Sequence, residues 1–155
     1  LSLSLPVEQV PFVETFTIGF DHLVTDAATL AMTWENTRVA FTIEAPATEQ
    51  SLKNIDEALA EPDATPGNYH NAAALCLDRG VRLPQALEWA KRSVAAEPKC
   101  FTVRTLSLLY AANGFRTEAI EAAKRSLEMS KAGGFDAFIK LNEAKIREWE
   151  TEPVA

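Results

Sequence analysis

Residues 12–44 alternate between apolar and polar side chains with a period of two, which is the pattern of β-strands. The large apolar residues fall into three sets that each share a face: Phe12, Phe16, Ile18 and Phe20; Leu30, Met32 and Trp34; and Val39, Phe41 and Ile43. Aromatic and β-branched residues favour strands, so the pattern predicts three antiparallel strands, with a tight connection at Glu35-Asn36-Thr37. A small sheet with one apolar face is unstable alone in water, so we expect that face to be covered.

From Pro46 onward the apolar residues recur at spacings of three and four, which predicts helices. The expected helices span residues 48–60, 66–79, 84–97, 99–113, 116–130 and 135–149. Thr65-Pro66 is typical of a helix N-cap followed by proline at the first helical position, and Gly80 is a C-terminal stop signal. The predicted fold class is α+β: a short three-stranded antiparallel sheet (residues 1–45) followed by a six-helix array (residues 46–155).

A near-copy within the helical half indicates stacked helix pairs. Residues 86–94 recur as residues 119–127, and both copies contain Ala-Lys-Arg-Ser. Self-similarity one helical hairpin apart is typical of repeat proteins, whose helix pairs bury their apolar faces against their neighbours. The last helix, which ends in Trp149, is expected to cap the stack.

Residues 99–131 resemble a tetratricopeptide repeat. The positions that this motif reserves for large, aromatic, turn-forming and small residues hold Leu106, Tyr110, Gly114, Ala119 and Ser126. Residues 67–98 fit more loosely, and neither repeat has the usual glycine in its first helix, where Ala73 and Ser107 stand. The resemblance implies an array of antiparallel helix pairs that binds a protein or peptide.

The β segment carries a second resemblance, centred on Trp-Glu-Asn-Thr-Arg-Val at residues 34–39. Residues 13–43 are similar to the end of the bacterial family called domain of unknown function 2911, whose members have a β-rich domain and a secretion signal. The resemblance implies an exported bacterial protein, periplasmic or extracellular, and implies no activity. The first residue is not Met, and we expect the chain to be part of a longer precursor.

Charge and composition narrow the classes of partner. The formal net charge is −7, which disfavours nucleic acid because phosphate binding needs a concentrated basic surface. No apolar run approaches the ~20 residues of a membrane-spanning helix. The two cysteines, Cys76 and Cys100, lack metal-type spacing and are expected to be buried free thiols rather than a bridge or a reactive site.

No motif in the chain indicates catalysis, and we predict neither catalytic residues, nor a metal site, nor a cofactor. His22 and His70 stand in no metal-binding pattern, and there is no glycine-rich phosphate loop or nucleophile elbow. Among the tryptophans, Trp34 is expected in the core of the sheet. Trp89 is expected either between helices and sheet or as an exposed binding aromatic.

The first helix of each tetratricopeptide hairpin lines the concave surface of the array. Carried onto this chain, those positions are His70, Ala74 and Asp78 in one repeat and Arg104, Leu108 and Ala112 in the other. The lysine–asparagine set with which some members hold a peptide carboxylate is absent. Such a groove could hold a peptide, or it could be filled by the chain's own sheet, which is the interpretation we favour.

The sequence therefore predicts a noncatalytic interaction or scaffolding module that binds a protein or peptide. The alternative is a supporting part of a ligand-binding or hydrolytic β domain whose active residues lie in a missing N-terminal region. A third possibility is a homodimer formed through the open strand edge of the sheet.

Overall fold

The computed structural model describes residues 4–151, which form two β-strands followed by six α-helices. The predicted α+β class is confirmed. The chain divides after Asn54 into two compact units, called here the β unit and the helical unit. The outer ends of the two predicted segments, at residues 1 and 155, lie outside the described residues.

The β unit contains two long strands, β1 (Val7–Val24) and β2 (Ala27–Glu44), which pair antiparallel around a turn at Thr25-Asp26. The prediction of three strands is therefore wrong. The chain remains in one strand through Glu35-Asn36-Thr37, where the sequence predicts a separate connection.

Strand β2 nevertheless reverses direction. The backbone N–H of Ala45 donates to the carbonyl oxygen of Asp26 at 2.8 Å, so both ends of the strand lie beside Asp26. A straight strand of 18 residues would separate its ends by about 60 Å. The bend is marked by Glu35, which lies near the strand's midpoint and has a φ of 50°. The turn residues predicted from the sequence thus produce a bend within one strand.

Strand β1 is bent as well. Its register against β2 shifts between Gln9 and Val13, a stretch that contains Pro11, as expected where proline cannot donate to the ladder. The guanidinium group of Arg38 binds Glu8 at 2.7 Å and Asp21 at 2.9 Å. These two carboxylates would lie about 40 Å apart on a straight strand, so Arg38 fastens the bent strand.

Several of the largest apolar side chains of the β unit are exposed, while others, such as Leu30 and Phe41, are partly buried. Phe12 is 66 % exposed, Phe20 59 % and Trp34 54 %, and only Ala31 is buried among the described residues of the unit. The expected core position of Trp34 is therefore wrong. Two strands supply too few side chains to enclose aromatic rings, whatever the alternation of the sequence.

Six helices follow: α1 (Ala47–Ala60), α2 (Pro66–Arg79), α3 (Leu83–Ala96), α4 (Cys100–Ala112), α5 (Arg116–Gly133) and α6 (Asp136–Thr151). In the helical unit α2 packs on α3 and α4 on α5, which makes two helical hairpins. The second helix of the first hairpin packs on the first helix of the next, and α6 covers α5.

The ends of α2 form where the sequence predicts them. The Thr65 hydroxyl accepts from the backbone N–H of Asn68, and the Asn68 side chain accepts from the backbone N–H of Thr65, which completes a capping box. At the other end Gly80 has a φ of 65°, a left-handed conformation that glycine adopts without strain.

The two Ala-Lys-Arg-Ser segments occupy equivalent places in α3 and α5. Ala90 and Ala123 are buried, as are Ser93 and Ser126, whereas the basic residues between them reach the surface. Small buried residues let the two helices of a hairpin approach closely. The larger core residues include Trp89 and Trp149, both buried, and Trp149 packs in one cluster with Ala119, Ala123 and Ile146.

Candidate functional site

The six residues predicted to line an interaction surface lie on α2 and α4, which are packed against each other. None of the six is buried. Asp78 and Ala112 are exposed, and the other four are partly exposed: His70, Ala74, Arg104 and Leu108. The helices thus present these side chains at an accessible surface, and the sequence-based assignment of the surface as a binding site stays a prediction.

Arg104 is the charged residue on this surface with the least ordinary environment. Its Nη1 atom is buried and has no hydrogen-bond partner in the described part of the chain, and no carboxylate pairs with it. Burial lowers the pKa of its guanidinium group from the ordinary value, because a low-dielectric setting disfavours the charged form. The residue nonetheless carries its charge at neutral pH, since arginine does not deprotonate in proteins.

His70 of α2 contacts α4 through its ring. Its imidazole packs edge-to-face on the ring of Phe101 in α4, with ring centroids 5.3 Å apart. Burial lowers the pKa of His70 below 6.5, so the side chain is neutral at pH 7. At the far end of α2, the carboxylate of Asp78 lies 3.7 Å from the guanidinium of Arg79 and is well solvated.

A cavity of about 230 Å³ lies where α2 and α4 begin, and we call it the N-terminal cavity. Its walls come from the first turns of both helices, from the last turn of α3, and from the segment that leads into α4: Pro66, Gly67, His70, Asn71, Ser93, Glu97, Lys99, Phe101 and Thr102. Of these, the sequence-based surface includes only His70. The helix starts were predictable from Thr65-Pro66 and Pro98, but their approach to each other depends on how the hairpins stack.

Two further features of the described residues bear on possible chemistry: the cysteines and a cavity in the β unit. Burial raises the pKa of the Cys76 thiol, which keeps it protonated and poorly nucleophilic, and Cys76 and Cys100 are both buried and free, as predicted. Within residues 4–151 no three His, Cys, Asp or Glu side chains are placed to hold a metal ion. A cavity of about 600 Å³ in the β unit is lined by Asp26, Glu44 and Glu49, and its described lining contains no histidine, cysteine, lysine or arginine.

Comparison with known proteins gives no relative from which a function could be transferred. No protein-family model matches the chain, and neither curated proteins nor solved structures give a match. In the described region, no helix combines the length and the apolar character needed to span a membrane.

Proposed function

We propose that this chain is a noncatalytic interaction module, and that its helical unit binds an extended peptide or protein segment across α2 and α4. The observation that carries the proposal is the unpaired Arg104. A partly buried guanidinium group without a carboxylate partner among the described residues is costly to the folded chain. A carboxylate that binds the accessible side of the group stabilises its charge and offsets part of that cost.

The surroundings of Arg104 suit a peptide. Ala74 on α2 and Leu108 on α4 are small or apolar and partly exposed, so a ligand main chain can lie close to the helices. Arginine binds carboxylates through two parallel hydrogen bonds, which fixes the register of a peptide as well as its charge. We therefore infer that the bound segment contains Asp or Glu flanked by apolar residues.

The proposal also includes an exported, periplasmic or extracellular location in a bacterium, which is supported by the resemblance of residues 13–43 to an exported family. An interaction module fits the array of paired helices, because such arrays supply extended surfaces rather than enclosed reaction centres.

Fluorescence polarisation with paired labelled peptides tests the proposal. One ten-residue peptide has a central glutamate between leucines, and its partner has glutamine at that position. We expect the glutamate peptide to bind more tightly, and Arg104→Gln to weaken its binding about tenfold, the cost of a charge-assisted hydrogen bond.

Arg125→Gln is the matched control, because Arg125 is an exposed arginine on α5, away from the predicted surface. Equal binding of the two peptides, or equal losses in the two variants, would contradict the proposal. Turnover of a small substrate that a single side-chain change abolishes would also reject a noncatalytic role.

A second candidate is favoured by the β unit. Phe12, Phe16, Phe20 and Trp34 are each more than half exposed, and exposed large apolar side chains that form a patch mark an interaction surface. On this view the β unit supports a further β domain that covers those rings and contains the active residues of a ligand-binding or hydrolytic protein.

A further inference from the structure

One face of the paired strands consists of apolar side chains. In the register of β1 and β2, Ile18 stands opposite Met32, and Phe20 stands opposite Leu30. Directly opposed residues of an antiparallel pair project to the same face, and so do residues two positions apart on one strand. Trp34, two positions beyond Met32 in β2, therefore extends this face. We call this set of residues the apolar face.

The apolar face is open to water. Ile18 is 60 % exposed, Phe20 59 % and Trp34 54 %, and the other two members are partly exposed. The apolar face therefore has no complete covering layer within residues 4–151. A two-stranded sheet is at best marginally stable by itself and needs a further layer against its apolar side.

The opposite face of the same strands is polar. There Thr17 stands opposite Thr33, and Asp21 stands opposite Thr29 and binds Arg38. The apolar face contains no charged side chain, and its single strong hydrogen-bond donor is an indole N–H. Two copies of this face can therefore meet without bringing like charges together, although each chain has a formal net charge of −7.

We propose that two copies of this chain dimerise through the apolar face, with their sheets stacked face to face about a twofold axis. A twofold axis brings the same patch of both copies into contact, so a flat apolar patch is complementary to itself. Stacked sheets lie about 10 Å apart, and their facing side chains interdigitate to form a core. Each copy thus supplies the layer that the other copy's sheet lacks.

The area of the apolar face suits a weak dimer. Phe20, Trp34 and the neighbouring Phe16 are 54–59 % exposed, so these rings leave roughly 250–400 Å² in water, to which Ile18 adds. A standard interface takes ~800 Å² from each partner, and smaller interfaces are typical of weak complexes. We therefore expect a dissociation constant in the micromolar range. The proposal does not depend on the peptide surface of α2 and α4, because its residues all belong to the β unit.

Size-exclusion chromatography with light scattering tests the proposal on the full chain and on two variants, Ile18→Asp and Ile18→Lys. We expect the wild type to be a dimer at high micromolar concentration and a monomer on dilution. Each variant alone should have its dissociation constant raised at least about a hundredfold, because its dimer would bury two like charges in an apolar core. An equimolar mixture of the two variants should dimerise again, since that interface contains one charge of each sign.

Thr17→Asp and Thr17→Lys are the matched controls, because Thr17 adjoins Ile18 in β1 and is exposed on the opposite face. Both should dimerise like the wild type, and circular dichroism verifies that all four variants fold. A wild-type monomer at every concentration would overturn the proposal and favour a further β domain as the covering partner. Equal losses at Thr17 and Ile18 would overturn it in favour of pairing through the strand edges. A mixture of the Ile18 variants that stays monomeric would also overturn it.

Discussion

At the scale of single residues, the two serines of the repeated segment have the same burial and opposite hydrogen-bonding states. Ser126 is hydrogen-bonded to Cys100 and Asn142, whereas Ser93 has no hydrogen-bond partner within residues 4–151. Identical local sequence therefore does not guarantee an identical energetic role. The role depends on what the next helix brings to the site, because α6 supplies an amide to Ser126 and no described residue supplies an equivalent group to Ser93.

This difference predicts unequal costs for the same substitution. Ser126→Ala should lower the free energy of unfolding by about 1–3 kcal/mol, because the amide of the fully buried Asn142 loses its acceptor. Ser93→Ala should change it by less than about 0.5 kcal/mol, since no hydrogen bond is lost. Urea unfolding of the two variants measures both, and equal costs would show that the hydroxyl of Ser93 is bonded after all.

The lowered pKa of His70 predicts that the free energy of unfolding depends on pH. Burial lowers its pKa in the folded chain, so the unfolded chain binds a proton first as the pH falls below 6.5. The stabilisation is fully present above pH 6.5 and is lost as the pH falls toward the folded-state pKa. His70→Gln should flatten this part of the stability profile in urea unfolding between pH 5 and 7.5. A profile that keeps its slope in His70→Gln would contradict this role for His70.

At the scale of the elements, the helices begin and end close to the residues where local sequence signals predict. The six expected helices match α1 to α6 within a few residues, because caps, prolines and glycines act over one turn and need no distant partner. The strands match their predicted bounds less well. The period-two pattern correctly indicated extended chain, but the turn residues at Glu35-Asn36 produced a bend and not a third strand.

Alanine substitutions at Gly67, in the first turn of α2, and at Gly80, which follows its last residue, should change stability in opposite directions. Gly80→Ala should cost about 1 kcal/mol, because a φ of 65° strains a residue with a side chain. Gly67→Ala should be neutral or stabilising by up to about 0.5 kcal/mol. Its Cβ would meet only the Thr65 hydroxyl at 3.6 Å, and alanine favours the helix. Thermal unfolding of both variants checks the pair, and a loss at Gly67 as large as that at Gly80 would contradict the assignment.

At the scale of the whole molecule, the two units differ in how completely they bury their aromatic side chains. The helical unit buries two tryptophans and a row of small residues, whereas the β unit exposes its aromatic rings. Phe12, Phe16, Phe20 and Trp34 are 54–66 % exposed, so together they leave roughly 400–600 Å² of aromatic surface in water. That is more than half of the ~800 Å² that one partner contributes to a standard interface.

The exposed surface predicts association. We expect the wild-type chain to associate as its concentration rises through the micromolar range, and a variant with threonine at Phe12, Phe16 and Phe20 to remain monomeric. Threonine keeps the preference for strand while removing the apolar area. Size-exclusion chromatography with light scattering measures both chains. A wild-type monomer at every concentration would exclude both self-association and pairing of the strand edges.

The sequence by itself determined the α+β class, the six helices and their ends, the burial of both cysteines, and the equivalence of the two Ala-Lys-Arg-Ser segments. These follow from hydrophobic period, caps and side-chain size, which act within a helix or between neighbouring helices. Only the tertiary structure decided the path of the strands, the exposure of Trp34 and the cavity beside Ser93. Arg38 binds Glu8 and Asp21, which are 30 and 17 positions away in the chain, and the cavity beside Ser93 is lined by residues of α2, α3 and α4. No local pattern encodes which distant groups meet.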